Sequence, residues 1–262
     1  MRVDATMQYH VHLRPEDVGK YVLLPGDPGR CELIASYFDQ PRFIASNREY
    51  TTYTGALLGE PVSVTSTGIG CPSTAIAVEE LIKLGVHTFI RVGTAGAVQE
   101  DSRNGDLAIV TGAIRDEGTT SQYLPIEYPA IADLDVVVAL REAAIHSGLP
   151  YHVGVSHSKD SFYGEIEPAR MPIADRLLAN WKAWKAGGAI CSEMEAAALL
   201  IIAGMHRKRA GGVMLVIGDP TEKVETPEEE ARLNALLDIN RSIRVAVEAI
   251  KLLIAQDRQA RG

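Results

Sequence analysis

Two apolar runs in this chain end in the same way, in a segment that combines glycine with arginine. Residues 84–90 lead into Arg91-Val-Gly-Thr-Ala-Gly96, and residues 21–25 lead into Gly26-Asp-Pro-Gly-Arg30. Short apolar runs rich in β-branched residues that stop at glycine predict buried strands followed by turns. Because arginine offers a planar fork of donors and stays charged, two such strand ends predict one shared oxyanion site, favouring phosphate.

Each segment also has a simpler interpretation. Gly-Asp-Pro-Gly is common in turns, and an arginine after a strand is often solvated or salt-bridged. The repetition in matching positions favours phosphate binding. Neither segment is a Walker loop, because no Gly-Lys-Ser or Gly-Lys-Thr follows. The segment Thr67-Gly-Ile-Gly70 lacks the third glycine of a dinucleotide fingerprint, since Ser73 stands there, and predicts a tight turn into a helix.

Composition and patterning predict one large α/β domain. The chain has 262 residues, 46% of them hydrophobic, and no stretch resembles a linker, so we expect a single domain over residues 1–262. Apolar runs alternate with helical stretches, which predicts a three-layer α/β/α sandwich with a central mixed sheet. We expect strands near residues 21–25, 61–66, 86–92, 107–111, 151–156 and 212–217, and helices near 30–38, 72–84, 134–147 and 193–205.

Two further regions carry expectations about structure. Thr226 and Pro227 predict the start of one long C-terminal helix whose apolar face joins the core. Residues 112–133 and 157–190 are the least regular and predict loops that close over a ligand.

Charge and apolar patterning exclude several classes of partner. The net charge of −8 comes without a basic stripe, which argues against nucleic acid and anionic membranes. The longest apolar stretch, residues 196–205, is about half of what a bilayer span needs. The N-terminal residues lack the apolar core of a signal peptide, and three cysteines without metal or redox spacing predict reduced core thiols. We therefore expect a cytoplasmic protein.

A set of motifs in one order, between Tyr9 and Asp219, resembles the hexameric nucleoside phosphorylase family, with the closest likeness to uridine phosphorylases. The resemblance implies a glycosyltransferase (pentosyltransferase) of nucleoside metabolism and salvage that converts nucleoside and phosphate to free base and ribose 1-phosphate. It implies phosphate as cosubstrate, no required cofactor, and a homo-oligomer, a hexamer built from dimers. The motifs are Pro25-Gly-Asp-Pro-Gly-Arg30, Asn47-Arg-Glu-Tyr-Thr51, Ser66-Thr-Gly-Ile-Gly70, Pro72-Ser-Thr74, Arg91-Val-Gly-Thr-Ala-Gly96 and Glu193-Met-Glu195.

The resemblance assigns a phosphate site that coincides with the two arginines found from the strand ends. Gly26, Arg30, Arg91 and Thr94 match positions that bind phosphate, and Arg48 matches one that reaches the same phosphate from the neighbouring subunit. Cleaving an N-glycosidic bond builds positive charge on the sugar. Phosphate held on the face opposite the base stabilises this charge and then attacks, and holding it in line contributes several kcal/mol.

Two carboxylates begin an apolar stretch and need an explanation. The resemblance implies that Glu195 accepts hydrogen bonds from the ribose 2′ and 3′ hydroxyls, that Met194 packs on the sugar, and that Glu193 supports the base and sugar region. The alternative is that both carboxylates are first-turn acids favoured by the helix dipole. Arg91 and Glu195, with Asp219, are the candidate catalytic residues.

Two aromatic-ring positions complete the predicted nucleoside site. His10 matches a histidine that crosses the dimer interface to the 5′-hydroxyl, with His12 as the alternative in case the register differs. Phe162 matches the aromatic residue against which the base packs, although a core aromatic would give the same pattern.

A cation site also follows from the resemblance. Glu49, Ile69 and Ser73 match positions that hold a monovalent cation between subunits in some uridine phosphorylases. A carboxylate, a backbone carbonyl and a hydroxyl are suitable ligands for a hard cation, here K⁺ at a subunit interface.

The chain departs from the pattern where the base is recognised. Uridine phosphorylases carry glutamine and arginine four and six residues after the aromatic residue, where this chain has Ile166 and Pro168. Glu165 or Arg170 are the alternatives nearby. Asp219 matches a general acid for a purine leaving group, or belongs to an Asp-Pro turn. Uridine is the expected substrate and a purine nucleoside the alternative, with a nucleosidase or a non-catalytic nucleoside-binding protein as rivals.

Overall fold

The computed structural model describes residues 7–218 and 226–260, and within them an α/β fold. The strands are β1 Tyr21–Leu24, β2 Asp39–Asn47, β3 Tyr50–Leu57, β4 Glu60–Thr65, β5 Thr88–Ala97, β6 Leu107–Asp116, β7 Ala130–Ile131, β8 Tyr151–Lys159, β9 Cys191–Glu193 and β10 Arg209–Ile217. The helices are α1 Arg30–Ala35, α2 Cys71–Lys83, α3 Leu134–Ser147, α4 Phe162–Ile166, α5 Ala174–Ala186, α6 Ala196–Met205, α7 Pro227–Leu236 and α8 Asn240–Gln259.

The strands form one mixed sheet, as the sequence predicts. β1 lies parallel to both β4 and β5, and β5 lies parallel to β10. β6 runs antiparallel to β10 and parallel to β8, which is in turn parallel to β9. Because β9 pairs back onto β5, the strands β5, β10, β6, β8 and β9 close into a ring. The sandwich prediction does not contain this closure.

The two faces of the sheet carry separate cores, which confirms the three layers. Val22 and Leu24 of β1 belong to the cluster that contains α2 and α6, whereas Tyr21 and Leu23 belong to the cluster with α1, α3 and α8. This division follows from the alternation of side chains along a strand. Helix α6 is buried on all sides, since Ala196 to Ala203 are each at most 2% exposed. A helix that is apolar all round belongs inside a core, and each of its leucines and isoleucines contributes about 1.5–3 kcal/mol by burial.

Strand β5 changes neighbours part-way along its length. It pairs with β10 from Thr88 to Gly96, with β1 only as far as Arg91, and with β9 only from Gly96. Residues 92–95 therefore have a strand on one side only. The sequence prediction of a turn at 91–96 is wrong, because pairing with β10 keeps this glycine-rich segment extended. Where a turn was expected, β5 instead continues past the end of β1 and is unpaired on that side until β9 begins.

The C-terminal region forms two helices where one was predicted. Thr226 caps α7 through a capping box with Glu229, as its sequence predicts. α7 then ends at Leu236 and has no buried residue, whereas α8 buries Ile243, Val247, Ile250 and Ile254 among others. The first part of the predicted apolar face lies in α7 and is not buried, because the helix breaks between Leu236 and Asn240.

Several elements were not predicted. β2 and β3 form a hairpin in which Asn47 pairs with Tyr50, so that Arg48 lies in the turn with φ +55°. β2 forms a free edge of the described sheet, its register shifts twice, and Pro41 lies within it. Residues 157–190, expected to be loops, contain α4 and the 13-residue helix α5.

The cysteines and the apolar helices bear on two of the expectations drawn from the sequence. Cys31, Cys71 and Cys191 are free and buried, as expected of reduced core thiols. Among the helices in the described ranges, none has both the length and the apolar character needed to cross a membrane.

Candidate active site

Arg91 lies where β5 loses its β1 neighbour, and its guanidinium is buried among carboxylates. Its Nε donates to Oε2 of Glu193 over 3.2 Å, and its Nη2 forms an ion pair with Glu195. Burial by itself lowers the pKa of Arg91, but the charges of Glu195 and Glu193 raise it above its ordinary value. Nη1 is buried and has no hydrogen-bond partner within the part of the chain that the structure describes. One arm of this cation is therefore left for a further acceptor.

A glycine makes room for this guanidinium. A Cβ at Gly93 would lie 3.1 Å from Nη2 of Arg91 and 3.1 Å from the sulfur of Met214. Any side chain at this position would push against both groups. Thr94 follows in the stretch of β5 that pairs on one side only, and is half-buried.

Glu193 is a buried carboxylate, and both of its oxygens accept hydrogen bonds from other groups of the protein. Oε2 accepts the backbone N–H groups of Glu195 and Ala196, each over 2.8 Å, besides Nε of Arg91. Oε1 accepts the hydroxyls of Ser158 and, over 3.4 Å, Ser156. These contacts fix the chain at the entrance to α6 and orient Arg91. Glu193 lies in β9 rather than in the first turn of a helix, so the first-turn interpretation is wrong for it.

Glu195 occupies the N-cap position of α6 and bridges two distant segments. Its Oε1 accepts the backbone N–H of Gly70 over 2.7 Å, and its Oε2 meets Arg91. Gly70 has φ +93°, a conformation that favours glycine, and it precedes α2 as predicted. Burial raises the pKa of Glu195, and the nearby charge of Glu193 adds to this, while Arg91 and the N–H of Gly70 lower it. Met194, the residue between the two carboxylates, is half-buried.

The second predicted arginine approaches the first. Arg30 is the first residue of α1, and its Nε lies 3.8 Å from Oδ2 of Asp27. Burial lowers the pKa of Arg30, and the charge of Arg91 lowers it further while Asp27 raises it. β1 pairs in parallel with β5 with Leu24 opposite Arg91, so the turn that carries Arg30 follows the strand beside Arg91. A Cβ at Gly26 would lie 3.2 Å from the carbonyl oxygen of Gly68, so the turn after β1 packs against the turn after β4.

His10 and Arg48 lie on one surface of the molecule. Nδ1 of His10 lies 2.7 Å from Oε1 of Glu80 on α2, and the amide of Asn47 donates to the carbonyl of His10 over 2.7 Å. Arg48, the next residue after Asn47, is exposed at the hairpin tip. His12, the alternative, is exposed and has φ +53°.

Other predicted residues lie apart from the arginines. Phe162 is the first residue of α4 and is 51% exposed, with an edge-to-face contact to Tyr163 at 5.5 Å between ring centres. Its exposure argues against the core-aromatic alternative. Asp219 lies outside the described residues.

The three predicted cation ligands are only partly assembled in a single chain. Oγ of Ser73 donates to Oε1 of Glu49 over 2.7 Å, and this bond lowers the pKa of Glu49. The side chain of Ile69 is 77% exposed. Glu49 and Ser73 therefore offer adjacent oxygens, which suits a hard cation.

A polar cluster that the sequence did not predict surrounds the buried His157 at the far end of β5. His157 lies between two carboxylates, with Nε2 3.0 Å from Oδ2 of Asp116 and Nδ1 3.5 Å from Oε2 of Glu165. Lys159 donates to Oγ of Ser192 over 2.8 Å and lies 3.1 Å from Oε2 of Glu165. The members come from β6, β8, α4 and β9, and Glu165 alone was noted from the sequence, as an alternative for base recognition.

Comparison with known proteins places this geometry in a family. The sequence model described as the Phosphorylase superfamily matches residues 20–251. A uridine phosphorylase from Treponema pallidum is 50% identical over 250 residues, covering 95% of both chains, and that of Escherichia coli is 39% identical over 252 residues, covering 94% of this chain and 98% of the relative. A guanosine phosphorylase from Halorubrum lacusprofundi is 37% identical over 249 residues, covering 94% of this chain and 99% of the relative.

Proposed function

Because this chain belongs to the phosphorylase superfamily, we propose that it cleaves the N-glycosidic bond of uridine with phosphate as cosubstrate. The products are uracil and ribose 1-phosphate, so the enzyme is a pentosyltransferase, and it needs no organic cofactor. The relatives that share most of its length include several uridine phosphorylases.

The unpartnered Nη1 of Arg91 is the observation that carries this proposal. A buried polar group without a partner is costly, and a cation left in this state is explained by an anionic ligand that completes it. Arg30 begins α1 directly after the turn that follows β1, and β1 pairs with β5 as far as Arg91. Phosphate with its several acceptor oxygens satisfies both arginines, with Gly26 in the turn after β1 and Thr94 in the stretch of β5 that pairs on one side only.

Glu195 holds the ribose in this mechanism. Its carboxylate accepts the 2′ and 3′ hydroxyls while Arg91 and Gly70 fix its position. The phosphate on Arg91 then lies next to the sugar and attacks the anomeric carbon as the bond to the base breaks. Positioning the two reactants contributes several kcal/mol to lowering the barrier. Met194 packs on the sugar, and Glu193 acts as a positioning residue for Arg91.

The active site is shared between subunits of a homohexamer built from dimers. Arg48 is exposed at the tip of the β2–β3 hairpin. The side-chain amide of Asn47 in that hairpin donates a hydrogen bond to the backbone carbonyl of His10. This arrangement supports donation of both residues to a neighbouring site. Glu49 and Ser73, with the carbonyl of Ile69, hold K⁺ at this interface. We place the enzyme in nucleoside salvage in the cytoplasm.

A purine nucleoside is the second candidate substrate. A guanosine phosphorylase shares 37% of its residues with this chain. Asp219 would then protonate the leaving purine, and the substitution Asp219→Asn should lower purine cleavage about 10²–10⁴-fold while sparing uridine.

A panel of nucleosides incubated with and without phosphate tests the function. We expect uracil to be released from uridine only when phosphate is present, with ribose 1-phosphate formed in equal amount. Release without phosphate would indicate a nucleosidase, and binding without any release would indicate a non-catalytic protein. Faster turnover of guanosine or inosine than of uridine would favour the purine alternative.

A further inference from the structure

Beyond Thr94, the next residue on the same side of β5 is Gly96, and a carboxylate lies over it. Side chains two residues apart on a strand share a face. A Cβ at Gly96 would lie 3.8 Å from Oε1 of Glu165. If phosphate and sugar are held at Arg91 and Glu195, as in the proposed function, a base directed along β5 toward Gly96 meets this carboxylate.

Glu165 is built as an ionised acceptor with one free oxygen. The hydroxyl of Ser192 and the ammonium of Lys159 both contact Oε2 of this carboxylate. Nδ1 of His157 also lies near Oε2. Within the described ranges, no hydrogen bond to Oε1 occurs. Burial alone raises the pKa of Glu165, but the hydrogen bond from His157 and the charge of Lys159 bring it below its ordinary value. The carboxylate is therefore charged at neutral pH.

Lys159 supplies a donor beside this acceptor. Its ammonium has three N–H groups, and the contacts to Ser192 and Glu165 use two of them. Lys159 and Glu165 also line a cavity of about 400 Å³ whose walls include Leu177 and Trp181. Lys159 is buried and Glu165 is partly buried, and both border free space.

We propose that Glu165 and Lys159 are specificity residues that recognise the edge of the nucleobase. Oε1 of Glu165 accepts the ring N–H, and Nζ of Lys159 donates to the adjacent carbonyl oxygen. This inference rests on the proposed function and names how its substrate is selected. Uracil presents N3–H beside O4, and hypoxanthine and guanine present the equivalent N–H and carbonyl. Cytosine and adenine present a bare nitrogen beside an amino group, which leaves both side chains mismatched.

Other residues near α4 are less suited to this role. Arg170 forms an exposed ion pair with Glu167, with side chains 70% and 38% exposed. Ile166 has no hydrogen-bonding side chain. Phe162 lies one helical turn before Glu165, so its exposed ring can cover the base that the carboxylate binds at its edge.

A comparison of uridine with 3-methyluridine, which lacks the N3–H, tests the assignment. We expect the wild-type enzyme to prefer uridine in kcat/KM by roughly 10- to 100-fold, since hydrogen bonds to charged groups are the stronger ones. In Glu165→Gln this preference should shrink roughly 10-fold, because kcat/KM falls for uridine and stays the same for 3-methyluridine. Glu167→Gln, two residues away and exposed, should keep the wild-type preference.

Several outcomes would overturn the assignment, and they differ from failure of the proposed function. If a folded Glu165→Gln enzyme keeps the wild-type preference for uridine over 3-methyluridine, the assignment is overturned. Equal turnover of the two nucleosides by the wild type also overturns it, and this comparison needs no variant. If the wild type cleaves no nucleoside, the proposed function fails. Calorimetry with free uracil and 3-methyluracil then decides the edge assignment, because weaker binding of 3-methyluracil supports it and equal or absent binding overturns it.

Discussion

Arg91 and Glu195 form an ion pair in which the side chains are only 7% and 5% exposed. Removing one partner from a buried pair leaves the other charge uncompensated, which costs about 3–5 kcal/mol. A substitution at either residue therefore acts on stability as well as on activity. The melting temperature of each variant separates the effect on stability from the effect on activity.

Arg91→Ala should weaken the use of phosphate. The variant loses the free Nη1 donor and the charge beside Arg30, so we expect kcat/KM for phosphate to fall by roughly two orders of magnitude or more. Steady-state kinetics with varied phosphate measure this. Arg170→Ala removes an exposed arginine and serves as the control. Unchanged phosphate kinetics in Arg91→Ala would refute the assignment.

Gly93→Ala should displace the guanidinium without removing any charge. The added methyl group would lie 3.1 Å from Nη2 of Arg91, so we expect a higher KM for phosphate and a lower kcat. Gly204→Ala is the matched control, because a Cβ there meets nothing within 4 Å and alanine is the better helix former by about 1 kcal/mol. Equal kinetics in the two variants would show that Arg91 has room to move.

Mixed oligomers should recover activity lost in each parent. If Arg48 is donated to the neighbouring site and Glu195 acts in its own, inactive Arg48→Ala and Glu195→Ala chains placed in one oligomer should restore some intact sites. Co-expression followed by uridine turnover measures the recovery. A fully active monomer in sedimentation would contradict sharing of the site.

His157 should make stability depend on pH above neutrality. Burial alone lowers its pKa, but hydrogen bonds to Asp116 and Glu165 raise it above the ordinary value of 6.5. The stability that protonated His157 adds is complete below the unfolded pKa and is lost as the pH rises through the folded pKa. The melting temperature of the wild type should therefore fall, relative to that of His157→Gln, as the pH rises from about 6.5.

The acidic members of the same cluster act in a different pH window. The pKa of Asp116 is lowered mainly by its hydrogen bond with His157, and that of Glu165 is also lowered. Their contribution is present above their unfolded pKa values and is lost as the pH falls through the folded ones. Parallel melting curves of wild type and His157→Gln above neutrality would contradict the role given to His157.

The sequence predicts six of the ten described strands from local apolar patterns, and it misses β2, β3, β7 and β9. Apolar β-branched runs end close to where β1 and β4 end, and the parallel pairing of β1 with β5 sets the end of β1 beside Arg91. The resemblance to nucleoside phosphorylases, drawn from short motifs, is confirmed by the family match over residues 20–251. The roles of the individual site residues stay predictions.

What the sequence could not predict depends on contacts between distant segments. Whether Gly93 to Gly96 form a turn or a strand is decided by pairing with β10, which is more than 100 residues away. The cluster around His157 draws Asp116, Glu165 and Ser192 from separate elements, so no local spacing marks it. The missing glutamine and arginine after Phe162 indicated only that base recognition differs.

The free edge of the sheet has a consequence for aggregation. An exposed edge strand offers unpaired N–H and C=O groups to which further chains can add. In β2, Pro41 removes a donor and the two register shifts bend the strand out of line. Among the described strands this long edge is therefore a poor template for cross-β growth, and crowding of many copies should not convert the native sheet into fibrils from this side.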